Sequence, residues 1–148
     1  MARFDLDELN KVIENLRRLA EVPSRASADA ADGISDAIQR QFDAGVDAYG
    51  EAWAPLADST LKRTPDRNGG PLDNTSEMRE GIVVQPMQGA GIQITFEDKG
   101  DVAMYHQSGT SRMPARPILP DGDDLPDEWE RAISDAYEDA FDREWEKR

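Results

Sequence analysis

With 148 residues and 38% hydrophobic content, the chain suits one domain, spanning 1–148, with a core that needs no staples. Its formal net charge of −14 argues against general binding to a nucleic-acid backbone or to an anionic membrane surface, since both ask for a basic footprint. Cysteine is absent, which excludes disulfides, thiolate catalysis and Cys-based zinc sites.

The first stretch, FDLDELNKVIENLRRLAEVP, sets Leu6, Leu9, Ile13, Leu16 and Ala20 at helical spacing, and Val12 and Leu19 widen the stripe. Asp5 with Glu8 resembles a capping pair, and Pro23 is expected to stop the helix. After PSRAS, read as a short turn, a second helical pattern runs through Ala30, Ile34, Ala37, Ile38, Phe42 and Val46, with a break or late start at Gly33. The two helices are expected to form a hairpin. From Tyr49 to Met78 the chain turns rich in Gly, Pro, Asp, Asn and Thr. A helical turn from Ser59 is expected inside this long loop, and TPDRNGGP reads as exposed by its turn chemistry. A stretch of this length without periodicity points to a functional or interface role.

REGIVVQPMQGAGIQITFED predicts two strands: Gly81 to Gln85, then GAG as the turn, then Ile92, Ile94 and Phe96 alternating with Gln93 and Thr95. Pro86 ends the first strand or places it at an edge. A motif loop, MYHQSGTSRMPARPILP, leads on to DGDD, which lacks the ligand spacing of an EF-hand and reads as an acidic helix start. Pro126 suits a first helical position. Trp129, Ala132, Ile133, Ala136, Tyr137, Ala140 and Phe141 form one apolar stripe with Trp145 near its end, and Asp127, Glu130, Asp135, Glu138, Asp142 and Glu146 occupy the other face. The expected architecture is α+β: an N-terminal helical hairpin, a long loop, a small antiparallel β-hairpin and a C-terminal amphipathic helix. No apolar run approaches the roughly 20 residues of a membrane span, and no leader pattern opens the chain, so a soluble protein made in a cytoplasm is expected.

Chemistry-bearing patterns are sparse. His106 is the sole histidine, and a nitrogen–oxygen metal site would want a second one or carboxylates at set spacing. Ser108 and Ser111 lie close to it in sequence, but adjacency in a loop is not triad geometry. His106 is therefore read as packed or hydrogen-bonded at a strand end, beside Tyr105 and Gln107. Carboxylates are too numerous for a pair to carry meaning, and the glycines are turn glycines without a phosphate-binding pattern. No catalytic, cofactor or metal residue is assigned. Lys62, Arg63, Arg67, Arg112 and Arg116 all fall in the two loop regions while the final helix is acidic, a segregation that either lets the loops of one subunit meet the acidic face of a neighbour or simply places the charges in solvent. Trp53, Pro55 and Leu56 on one loop, and three prolines around Arg116 on the other, resemble stiff interface anchors.

Three segments in order, AWAPLADSTLKR, GPLDNTSEMREGI and YHQSGTSRMPARPILP, resemble the virion morphogenesis or tail-completion proteins of tailed phages, the small neck proteins that help join head and tail. The matching positions are Trp53, Pro55, Leu56 and Thr60; Leu72, Thr75, Met78 and Ile82; and His106, Gln107, Gly109, Pro114, Ala115, Arg116, Pro117, Ile118 and Leu119. The resemblance covers Gly50 to Leu119. It implies a structural protein of the virion, not an enzyme and without a cofactor, present in several copies around the head–tail axis. It implies contacts with head connector or portal-side proteins and with tail-terminator or tail-tube proteins, and genome DNA passing without specific binding. Arg116 is expected to pair with a carboxylate, either within the fold or on a neighbouring subunit, and Asp135, Glu138 and Asp142 to line a DNA channel by charge repulsion. The rival expectation is an acidic module that mimics nucleic acid and inhibits a DNA-binding enzyme.

Overall fold

A computed structural model describes residues 6–65, 70–88, 91–121 and 124–146. Its elements are α1 (Leu6–Ala20), α2 (Val22–Ala44), α3 (Asp58–Arg63), α4 (Glu77–Glu80), β1 (Ile82–Pro86), β2 (Ile92–Phe96), α5 (Gly100–Ser108) and α6 (Asp127–Glu146). The architecture is α+β: a long helix near the start, a two-stranded antiparallel hairpin, and a C-terminal helix packed on the long one. Among the described residues, no helix is long and apolar enough to cross a membrane.

Pro23 does mark a helix boundary, but as a start. It stands in the first turn of α2, where its missing N–H costs nothing and its fixed φ suits the helix. PSRAS is therefore helical, and the expected turn is absent: α1 ends at Ala20 and α2 begins at Val22. The expected N-terminal hairpin is corrected with it, because the partner that packs along α2 is α6. Their pairing is antiparallel, since Arg25 meets Glu144 and Asp29 meets Arg143 at one end while Arg40 meets Glu128 at the other. Of the predicted α1 stripe, Leu19 packs half-buried with Val22, Ala26, Tyr137 and Ala140, whereas Val12, Ile13 and Leu16 are exposed. Asp5 and its capping pair lie outside the described residues.

Gly33 produces no break. It sits against α6, and a Cβ there would lie 3.0 Å from the Ala132 Cβ. Ala26, Ala30 and Ala37, all buried, keep the rest of this face of α2 thin. Gly33→Val is expected to wedge the helices apart and cost about 1–3 kcal/mol in urea unfolding, whereas a tolerated valine would show that the helices can slide.

The hairpin follows its predicted pattern. β1 and β2 pair in register from Ile82 opposite Phe96 to Pro86 opposite Ile92, and Ile92, Ile94 and Phe96 face inward while Gln93 and Thr95 are exposed. Pro86 closes β1 as expected; Gly89 and Ala90 of the GAG turn lie outside the described residues, as do residues 66–69 of TPDRNGGP and 122–123 of DGDD. The central core unites Ile34, Ile38 and Phe42 of α2, Trp53, Leu72, Met78, Ile82, Ala103, Ile118 and Trp129. The predicted α6 stripe holds through Ala140 and then fails. Phe141 and Trp145 are exposed and stack on each other, with centroids 5.7 Å apart, because they lie one position round the helix from Ala140 and Glu144, which face α1 and α2. Glu144 is buried in their stead, and its carboxylate binds the Arg25 guanidinium.

Candidate functional site

The opening half of the motif, expected as a strand end, is α5. Its last turn carries His106 and Gln107, and Gly109 ends it with φ 72° and ψ 170°. Any other residue at position 109 would suffer twice. The conformation favours glycine, and a Cβ would stand 2.8 Å from the Ala115 nitrogen, where the chain returns alongside the helix.

That returning segment, Met113–Pro120, is a strap across the core. Its prolines remove donors, so its carbonyls and its few N–H groups must be satisfied from elsewhere if the strap is to be buried. Side chains from distant positions do this. The Trp53 indole Nε1 donates to the Pro117 carbonyl at 2.8 Å, and Gln41 Nε2 donates to the Ile118 carbonyl at 2.9 Å. Gln107 makes three bonds at once: its Oε1 accepts from the Ile118 and Leu119 amides at 2.8 and 2.9 Å, and its Nε2 donates to the Leu119 carbonyl at 2.9 Å. The Arg116 amide donates to the His106 carbonyl at 2.6 Å. Ile118, fully buried, is the apolar nail of the strap.

The Arg116 side chain is buried as well. Its Nε and one terminal nitrogen donate to the Ala54 and Pro55 carbonyls, each at 2.7 Å. The Arg116 guanidinium thus ties the strap to the loop bearing Trp53 through main-chain acceptors. The expectation of Trp53 as an interface anchor is corrected. The residue is not a surface anchor but a core residue, packed edge-on against Phe42 with centroids 5.3 Å apart. A stiff loop rich in unpaired carbonyls recruits donors inward, which is why the two most anchor-like residues point into the fold. Leu119 is half-buried against the core, and Pro117 gives its carbonyl to the indole.

The remaining candidates meet at the surface. Pro55, Leu56, Thr60, His106 and Pro114 line one cleft of about 770 Å³, with Arg63 and Arg112 on its walls and Arg116 at its base. The cleft lies between α3, the turn before α4, α5 and the strap, and no residue of α1, α2 or α6 lines it. The expected long loop thus holds a helix at the predicted place near Ser59. Arg63 and Arg112 form no salt bridge among the described residues; Arg67 lies outside them. Ser76 (φ 63°) and Lys99 (φ 57°), the two non-glycine residues with positive φ among the described residues, both line the cleft. Strained backbone of this kind concentrates where a surface is shaped for use.

One organising residue carried no sequence signal. Arg79 donates to Gln39 Oε1 at 2.6 Å and to the Gln39 carbonyl at 3.1 Å, reaches Asp43 at 2.6 Å and Asp73 at 3.1 Å, and lies over the Phe42 ring at 5.6 Å. Burial works against its charge, but the hydrogen bonds and charges of Asp43 and Asp73 outweigh this and raise its pKa above the ordinary value. The folded state therefore holds the proton more tightly than the unfolded chain. Its stabilisation is complete below the unfolded pKa and is lost only as pH climbs through the still higher folded value. Arg79→Met is expected to cost about 2–3 kcal/mol, with little rescue by Arg79→Lys, because an ammonium lacks the fork that reaches both carboxylates; equal stability of all three in urea would refute the hub. Among the described residues no group of three or more His, Asp and Glu could hold a metal ion.

Comparison with protein-family models, with curated proteins and with solved structures finds no match to this chain, so its functional reading rests on its own residues and geometry.

Proposed function

We propose that this chain is a structural component of a tailed virus or prophage, acting at the head–tail junction of the virion as a neck or tail-completion protein. It docks with neighbouring copies of itself around the head–tail axis, with the head connector on one side and with tail-terminator or tail-tube proteins on the other. It performs no catalysis and uses no cofactor.

One observation carries the reading. The segments that bear the resemblance lie far apart in sequence, yet their matching residues join in a single unit. Trp53 and the carbonyls on either side of Pro55 hold Arg116 and Pro117, Gln107 clips Ile118 and Leu119, and Leu72, Met78 and Ile82 pack in the same core. Residues that share one hydrogen-bonded unit belong to one structural pattern, which supports the resemblance over a chance of composition. The surface the unit presents is a cleft walled by stiff loops, the kind of shape that suits a rigid protein partner.

Electron microscopy of lysates from the parent virus with this gene deleted tests the proposal. Separate DNA-filled heads and finished tails are expected; normal joined particles would remove the neck assignment. A second reading, an acidic module that mimics nucleic acid, draws on the exposed acids of α6, among them Asp135, Glu138 and Asp142. It predicts a salt-sensitive complex with a basic DNA-binding enzyme, and joined particles together with such a complex would favour it.

A further inference from the structure

The surface carries two patches of opposite character that share no element. The cleft is cationic, with Arg63 and Arg112 on its walls, and its other lining is partly apolar through Leu56 and Met113. The second patch is the C-terminal part of α6. There Phe141 and Trp145 form an exposed ridge, 44% and 49% accessible, against the grain of a helix whose other large apolar residues face inward. Glu138 and Asp142, one turn apart, run beside that ridge and form no salt bridge among the described residues. The patch thus pairs an aromatic ridge with an acidic ridge, and the cleft pairs apolar walls with arginines. In a chain of net charge −14, copies repel each other unless the few uncompensated cations meet the acids directly.

We propose that the C-terminal part of α6 of one copy docks in the cationic cleft of the next, with Phe141 and Trp145 against the apolar lining and with Glu138 and Asp142 meeting Arg63 and Arg112. The contact is head-to-tail: each copy offers one cleft and one knob, on separate elements, so association continues from copy to copy and ends only when a ring closes. This use of Glu138 and Asp142 replaces the channel-lining role expected for them from sequence. The inference deepens the assembly reading above and rests on its claim of self-contact, but not on the viral setting.

Mixing two disabled variants tests the contact. Arg63→Glu with Arg112→Glu disables the cleft, and Asp142→Lys with Trp145→Ala disables the knob. All four positions are exposed, so both variants are expected to fold, with the wild-type far-UV circular dichroism spectrum. In sedimentation velocity the wild type is expected to form species larger than a dimer, and each variant alone to stay monomeric. Their mixture is expected to form a 1:1 dimer, since one partner retains an intact knob and the other an intact cleft. Raising salt to about 0.5 M is expected to weaken that dimer about tenfold or more. A monomeric mixture would overturn the proposal, as would a wild type that is monomeric at about millimolar concentration or a symmetric dimer insensitive to both variants. Binding of a short single-stranded oligonucleotide to a monomeric wild type, lost on cleft reversal, would instead assign the cleft to a nucleic acid and also overturn it. The deletion phenotype of the parent virus is a separate readout, so failure of the contact and failure of the neck assignment are distinguishable.

Discussion

Trp53→Ala is expected to lower the unfolding free energy by about 3–5 kcal/mol, a large share of what a domain of this size possesses. The loss has two sources. Removing the indole leaves a cavity beside Phe42, its edge-on neighbour at 5.3 Å, and it strips the Pro117 carbonyl of its donor. Trp53→Phe separates them. The phenyl ring keeps most of the packing but offers no N–H, so this variant is expected to lose about 1–2 kcal/mol, the ordinary penalty of an unsatisfied buried carbonyl. Urea midpoints of the three proteins measure both steps. If Trp53→Ala matched the wild type in stability but failed to assemble, the residue would be a surface anchor after all and the strap would hold without it.

Gln107→Ala is the second large effect, expected at about 3 kcal/mol. A single primary amide satisfies two N–H groups and one carbonyl of the strap, and each buried group left unpaired costs about 1 kcal/mol or more. Gln107→Glu keeps an acceptor for the two amides but sets its second carboxylate oxygen against the Leu119 carbonyl, so it is expected to recover only part of the loss. Hydrogen exchange gives the local readout: the Ile118 and Leu119 amides are expected to lose protection in Gln107→Ala while the β1–β2 amides keep theirs. Uniform loss of protection across the chain would mean that the strap unfolds only with the whole domain.

Local pattern and tertiary path contributed differently to these assignments. The hairpin was legible because alternation of Ile92, Ile94 and Phe96 is a property of five consecutive residues. Most of α6 was legible for the same reason, down to the start after Pro126. Helix α5 was not. It buries only Ala103, so GDVAMYHQS carries almost no stripe, and its helical state is secured by the strap lying along it and by the glycine that ends it. The exposure of Phe141 and Trp145 was equally hidden, because they continue the apolar spacing of Trp129 to Ala140, and only the packing of Ala140 and Glu144 against α1 and α2 shows which side of α6 is covered there.

The residues of the candidate site show the same division. Their membership was legible: proline stiffening, an arginine, a tryptophan and a lone His–Gln step marked the two loops. Their direction was not. Trp53 was expected to face a partner and Arg116 a carboxylate of the fold or of a neighbour, and both reach carbonyls of each other's segments across separations of 62 and 64 residues. Helical and strand periods and turn chemistry are settled by near neighbours, because steric and hydrogen-bonding preferences act over a few residues. Which carbonyl a buried donor reaches, where two helices come close enough to require glycine, and whether scattered arginines share one cleft depend on the path of the whole chain, because burial obliges every polar group to find a partner wherever the fold can supply one.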